Sequence, residues 1–163
     1  MKVSVLLDTS FLITFVNTTR TNHIVAAQYF EHLLSNNCNM YLSTIVASEI
    51  SIKQPITDLP IKKFIPIPFN IPHSIESGRI WNMLDGRDSG DSRSVIKDDM
   101  KIIAQALHEK IPFVLTDDDN TFYKYCDRLR IKNNLNIKAI KLSDGFSPGA
   151  LGLDKQTGIE AFI

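Results

Sequence analysis

Carboxylates recur at four separated places in this chain, each at the end of an apolar run or on the border of a helical one. Leu6-Leu7 leads into Asp8-Thr9-Ser10, Glu49 sits within Ile45 to Ile52, Asp98-Asp99 precede Ile102-Ile103-Ala104, and Leu115-Thr116 leads into Asp117-Asp118-Asp119. Acids converging from several elements repel one another unless a cation joins them, and hard oxygen donors select Mg²⁺ or Mn²⁺. The chemistry such a set suits is metal-dependent cleavage of phosphodiesters, with a cation-activated water as nucleophile.

Each acid also has a plain structural role open to it. Asp8 could cap the helix that starts near Ser10, and Glu49 could lie on a solvated face or be partly buried with a partner. Asp98 and Asp99 are separated by helical phase. Positions three, four and seven beyond Asp99 are Ile102, Ile103 and Ala106, so Asp99 borders the core-facing stripe, whereas the same offsets from Asp98 reach Lys101, Ile102 and Gln105. Asp99 is therefore expected as the ligand, and Asp98 either as a helix-start residue or as one that supports the ligands from behind. In the triple, Asp118 is preferred for the site on strand parity with Val114 and Thr116, Asp117 is held in reserve, and Asp119 reads as the N-cap of the next helix.

The elements that must position these acids alternate. Val3 to Leu7, Met40 to Leu42, Phe113 to Leu115 and Asn136 to Leu142 read as strands. Helical patterns cover Phe11 to Val16 (N-cap Thr9 or Ser10), Asn22 to Leu34, Thr44 to Ile52 (N-cap Ser43 or Thr44), Ser74 to Leu84, Val95 to Lys110 and Asn120 to Asn133. Pro60, Pro66, Pro68 and Pro72 restrict Leu59 to Ile71 to a loop or an extended edge strand. Residues 85 to 92 form a polar loop that could cover a site. This order predicts an α/β fold with a central, mostly parallel sheet and helices on both faces. Ligands of such sheets bind beyond the carboxyl ends of the strands, where Asp8 and Asp118 fall.

Composition narrows the class. A chain of 163 residues that is 44% hydrophobic, with mean hydropathy −0.04, suits one soluble domain. No apolar run reaches the roughly 20 residues of a membrane span, and the start of the chain lacks a signal-peptide layout. No membrane association and a cytoplasmic location are expected. Cys38 and Cys126 are far apart and make neither zinc nor a disulfide framework. Eighteen basic and 18 acidic residues cancel, so polyanion binding would need a local patch.

Taken in order with their flanks, four blocks resemble the PIN-domain ribonucleases, a family that includes VapC-like toxins: Leu7-Asp8-Thr9-Ser10-Phe11-Leu12, Ser48-Glu49-Ile50, Asp99-Met100-Lys101-Ile102-Ile103-Ala104-Gln105-Ala106 and Leu115-Thr116-Asp117-Asp118. The resemblance covers residues 1 to 142 and implies a three-layer α/β/α sandwich. It implies a Mg²⁺- or Mn²⁺-dependent endoribonuclease with catalytic Asp8, Glu49, Asp99 and Asp118, of which Asp8, Asp99 and Asp118 hold the metal. Thr9, Ser10, Thr116 and Asp117 would support those acids, with Ser10 standing where the family often has Asn. RNA is the implied substrate, and a toxin's partner would be an antitoxin-like protein. Residues 143 to 163 form a C-terminal extension on which the resemblance is silent; packing on the domain, homodimer formation and contact with another protein are its open roles.

Arg87, Arg93 and Lys97 precede Asp99, and Arg93 and Lys97 are expected to touch substrate. Lys124, Arg128 and Lys132 form a stripe that is either a solvated face or a phosphate-tracking rim. His23, His32, His73 and His108 show no mutual metal spacing, and Trp81 reads as core or interface. The main rival is a PIN-like module that binds RNA or protein without catalysis, in which an acid would be expected to be missing. A dehalogenase-like phosphatase would want an acid where Ser10 stands, and a receiver-like domain would want an acidic pair near the first strand; neither pattern is met.

Overall fold

The structure is a computed structural model and describes residues 2–153. Five short strands, β1 (Ser4–Leu7), β2 (Asn39–Ser43), β3 (Ile65–Ile67), β4 (Phe113–Thr116) and β5 (Lys138–Lys141), pair in the order β3-β2-β1-β4-β5, all parallel. Six helices, α1 (Thr9–Val16), α2 (His23–Ser35), α3 (Thr44–Lys53), α4 (Ile71–Met83), α5 (Arg93–His108) and α6 (Phe122–Asn133), complete a three-layer α/β/α sandwich. A parallel sheet covered on both faces needs continuous apolar strands. Val5, Leu6 and Leu7 in β1 and Val114 and Leu115 in β4 are accordingly fully buried. The strand order reverses between β1 and β4, which creates a crevice at their carboxyl ends.

Several boundaries differ from the sequence reading for identifiable reasons. Pro72 does not exclude α4 but stands in its first turn, where no amide hydrogen is needed. Pro66 lies in β3, which is the edge strand. Helix α1 begins at Thr9, so Asp8 rather than Thr9 or Ser10 occupies the N-cap position, although its carboxylate does not cap.

Ser43 caps α3 by accepting from the Ile45 amide at 3.0 Å and donates to Gln105 Oε1. Gln105 Nε2 in turn donates to the Ile67 carbonyl at 3.0 Å, and both side chains are fully buried. This pair ties β2, β3 and α5 together. Ser43→Ala removes the cap and leaves Gln105 Oε1 without a donor, so a loss of about 2 kcal/mol is expected in urea unfolding. A midpoint equal to wild type would refute that accounting.

Residues 143–153 pack on the domain. The Tyr29 hydroxyl donates to the Gly145 carbonyl at 3.3 Å and accepts from the Ser147 amide at 3.2 Å. Phe146 meets Tyr29 edge-on with ring centroids 5.0 Å apart, and Leu151 is buried. The rest of the expected extension, from residue 154, lies outside the described residues.

Candidate active site

Beyond the carboxyl ends of β1 and β4 lies a cleft of about 390 Å³ whose walls include Asp8, Glu49, Asp99 and Asp118. Three of these acids are held by their own surroundings. Asp8 follows β1, its amide bonded to the Leu115 carbonyl of β4 at 3.0 Å. Its carboxylate Oδ2 accepts from the Ser10 hydroxyl at 2.7 Å and the Thr116 hydroxyl at 2.8 Å. Glu49, on α3, accepts from the Thr9 hydroxyl. Asp118 Oδ1 accepts from the Asn120 and Thr121 amides, both at 2.9 Å, and Oδ2 from the Thr121 hydroxyl. Asp118 therefore supplies the carboxylate at the start of α6 that the sequence reading assigned to Asp119, which accepts from Ser143 at 2.6 Å instead.

Asp99 is different. It lies in the second turn of α5, is 8% exposed, and its buried Oδ2 has no hydrogen-bond partner among the described residues. Burial first, then the charges of Asp8 and Asp118, push its carboxyl up to about 8, with the nearby Thr121 side chain opposing. Asp8 is raised mainly by burial, against the hydroxyls of Ser10 and Thr116. Glu49 is raised by burial and by Asp8 and Asp98, with Lys53 opposing. Among the described residues, four carboxylates face two cations in this cleft, Arg20 and Lys53. Asp8 and Asp99 are the buried pair of this set, where a negative charge is least well solvated, whereas Glu49 and Asp118 are half-buried.

The remaining acids point elsewhere. Asp98 accepts from Lys101 at 2.7 Å, and its side chain is 40% exposed. Asp117 turns away from the cleft and accepts from Thr14 at 2.6 Å and Asn22 at 2.7 Å, joining the end of β4 to α1 and α2. Its amide donates to the Ser10 hydroxyl at 2.8 Å, so Ser10 organises both Asp8 and the β4 turn.

The structure does not bring Arg93 and Lys97 to this cleft; they line a separate depression with Trp81. The reason is helical phase: Lys97 precedes Asp99 by two positions, about 200° around the helix, while Val95, four positions before, shares its face and lines the cleft. Lys53 was findable by the same arithmetic, four residues after Glu49. Arg20 sits in the loop between α1 and α2, where no periodicity applies. Nor do Lys124 and Arg128 form an open rim. Lys124 pairs with Asp91 at 2.6 Å and Asp88 at 3.0 Å, Arg128 pairs with Asp88 at 2.9 Å, and Lys132 pairs with Asp85. The Tyr125 hydroxyl adds a bond to Asp91 at 2.6 Å, so the loop of residues 85–92 is clasped to α6.

Folding also gathers His73 and His108 with Glu109, at the far end of α5 from Asp99. The sequence spacing concealed this. His73 Nδ1 accepts from the Asn70 amide at 3.2 Å, and Nε2 reaches Glu109 at 2.8 Å. A metal-bound imidazole donates its other N–H to an acceptor, whereas here that nitrogen faces a donor. The cluster is thus a clamp joining the start of α4 to the end of α5.

Known proteins share this fold. Residues 5–128 match the PIN domain family. Among solved structures, VapBC2 from Rickettsia felis bound to a promoter DNA fragment superposes with a TM-score of 0.58 at 17% identity, over 85% of this chain and 98% of that one. DNA-bound VapBC from Salmonella typhimurium gives 0.58 at 16% identity, over 86% and 98%. FitAcB from Neisseria gonorrhoeae gives 0.56 at 18% identity, over 88% and 97%. No curated protein sequence matches significantly. With the family match spanning most of the strands and helices that build the cleft, the chain belongs to the PIN domain family.

Proposed function

We propose that this chain is a divalent-cation-dependent endoribonuclease and that it acts as the toxin of a toxin–antitoxin pair. The observation that carries the nuclease reading is the buried, unpartnered Asp99 carboxylate oxygen in a cleft with three further acids. An all-oxygen donor set with surplus negative charge fits a hard cation, held by Asp8, Asp99 and Asp118. When bound, Mg²⁺ or Mn²⁺ supplies an acidified water and neutralises charge on the scissile phosphate. The chain's own residues supply orientation. Ser10 and Thr116 fix Asp8, the Asn120 and Thr121 amides fix Asp118, and Thr9 fixes Glu49. Glu49, whose carboxyl burial pushes up from its ordinary value, would take the proton of the attacking water at its carboxylate. The toxin reading draws on the likeness in fold to proteins solved as VapBC and FitAcB complexes. It implies an antitoxin-like protein as partner.

The test uses purified chain and a labelled single-stranded RNA. Cleavage is expected with Mg²⁺ or Mn²⁺, to stop in EDTA, and to return when the cation is added in excess. Cleavage undiminished by chelator would overturn the cation-dependent mechanism. No cleavage with either cation would favour the non-catalytic module. For the toxin role, induced expression should arrest growth of a bacterial host, and co-expression of a small adjacent gene should relieve the arrest.

A further inference from the structure

Helices α4 and α5 pack side by side and leave between them a groove of about 330 Å³. Gly78 and Trp81 contribute from α4, and Arg93, Lys97, Met100 and Lys101 from α5. Among the described residues, no carboxylate lines it. Lys101 is committed to Asp98, but Arg93 and Lys97 are exposed and form no ion pair among the described residues. They contrast with Lys124, Arg128, Arg130 and Lys132, each held by an acid. The Arg93 guanidinium lies 5.9 Å from the Trp81 ring centroid. A base sandwiched between two planar groups needs about 7 Å, two layers of roughly 3.4 Å, so an outward shift of about 1 Å in an exposed arginine admits one. A Cβ at Gly78 would meet nothing within 4 Å, so that wall of the groove is open.

An aromatic face beside two uncommitted cations is complementary to a single-stranded polyanion that carries planar rings. We infer that the α4–α5 groove is an RNA subsite distinct from the four-acid cleft, where a base stacks on Trp81 while Arg93 and Lys97 hold adjoining phosphates. This rests on the reading of the chain as a ribonuclease. The two depressions flank opposite sides of α5 near its N-terminus, so RNA bound in both passes around the end of that helix.

Trp81 is the only tryptophan of the chain, so its emission reports on this groove alone. The experiment titrates the full-length Asp99→Asn variant in EDTA with labelled oligouridine, following RNA anisotropy and Trp81 emission together. Quenching in step with anisotropy is expected. Trp81→Leu should weaken binding about tenfold. Arg93→Ala with Lys97→Ala should lower the slope of log K against log salt by about 1.4, the share of two single-strand phosphates. Gly78→Leu, compatible with a helix and free of clashes, should fill the groove and weaken binding similarly without lowering the melting temperature. Binding with unchanged Trp81 emission and indifferent to all these variants would overturn the subsite. So would RNA cleavage by the metal-loaded wild type with KM unaltered in the groove variants, which leaves the nuclease reading standing. Absence of both binding and cleavage would remove both. Concentration-dependent self-association abolished by Gly78→Leu, with RNA binding intact, would assign the groove to a second copy instead.

Discussion

Asp99→Asn is expected to abolish RNA cleavage, by roughly a thousand-fold or more, while Asp98→Asn keeps most of it. The two residues are adjacent in sequence and carry the same charge, so composition cannot distinguish them. Asp99 is 8% exposed and lines the cleft, with a carboxylate oxygen that has no protein partner. Asparagine keeps its shape but removes the charge a cation needs. Asp98 pairs with Lys101 on the outer side of α5, and its effect on the cleft is a minor like-charge contribution at Glu49. The comparison needs two purified variants with matched circular dichroism and one RNA substrate. Equal losses, or a greater loss in Asp98→Asn, would show that the cleft does not use Asp99 as argued.

The same substitution should stabilise the protein when metal is withheld. Asp99 titrates near 8 in the fold against 3.8 in an unfolded chain, with burial the largest cause. The folded state therefore binds a proton that the unfolded state has released across that interval. The associated stability is complete below pH 3.8 and is lost as pH rises through about 8. Asp8 and Glu49 are displaced in the same direction. In EDTA, wild type should melt lower at pH 8.5 than at pH 6, a range chosen around the Asp99 titration. Asp99→Asn resembles the neutral acid at every pH, so it should gain on the order of 2–4 kcal/mol at the alkaline end, roughly 5–10 °C. Mn²⁺ should raise the melting temperature of wild type and have much less effect on the variant. Thermal scans at the two pH values, with and without cation, decide the matter. A variant less stable than wild type in alkaline EDTA would mean that Asp99 is not held against its charge.

Much of this site was legible because helices and strands have fixed periods. The phase of α5 put Asp99 inward and Asp98 outward, and strand parity chose Asp118 from three consecutive acids. The same phase turns Arg93 and Lys97 away from Asp99 and onto the α4–α5 groove, so nearness in sequence to the acid does not bring them into its cleft. Other features depend on tertiary partners that no local pattern carries. The commitment of Lys124 and Arg128 to Asp88 and Asp91 requires a loop and a helix more than 30 residues apart to meet. The His73–Glu109 clamp joins two helices 36 residues apart. Pro72 illustrates a different failure, since the residue that breaks a helix interior also starts helices well, and only the flanking chain tells which applies.

The central strand β1 is bonded on one side to β2 and on the other to β4, with Val5 beside Phe113. The first acid of the cleft therefore waits for the last: Asp118 follows Asp8 by 110 residues (118 − 8). At the roughly 5–20 residues per second of translation, that interval is about 5–22 s. Throughout it, a ribosome carries a growing chain that holds Asp8, then Glu49 and Asp99 in turn, but no finished cleft. The cleft is thus completed only when β4 arrives to pair with β1 and brings Asp118 beside Asp8.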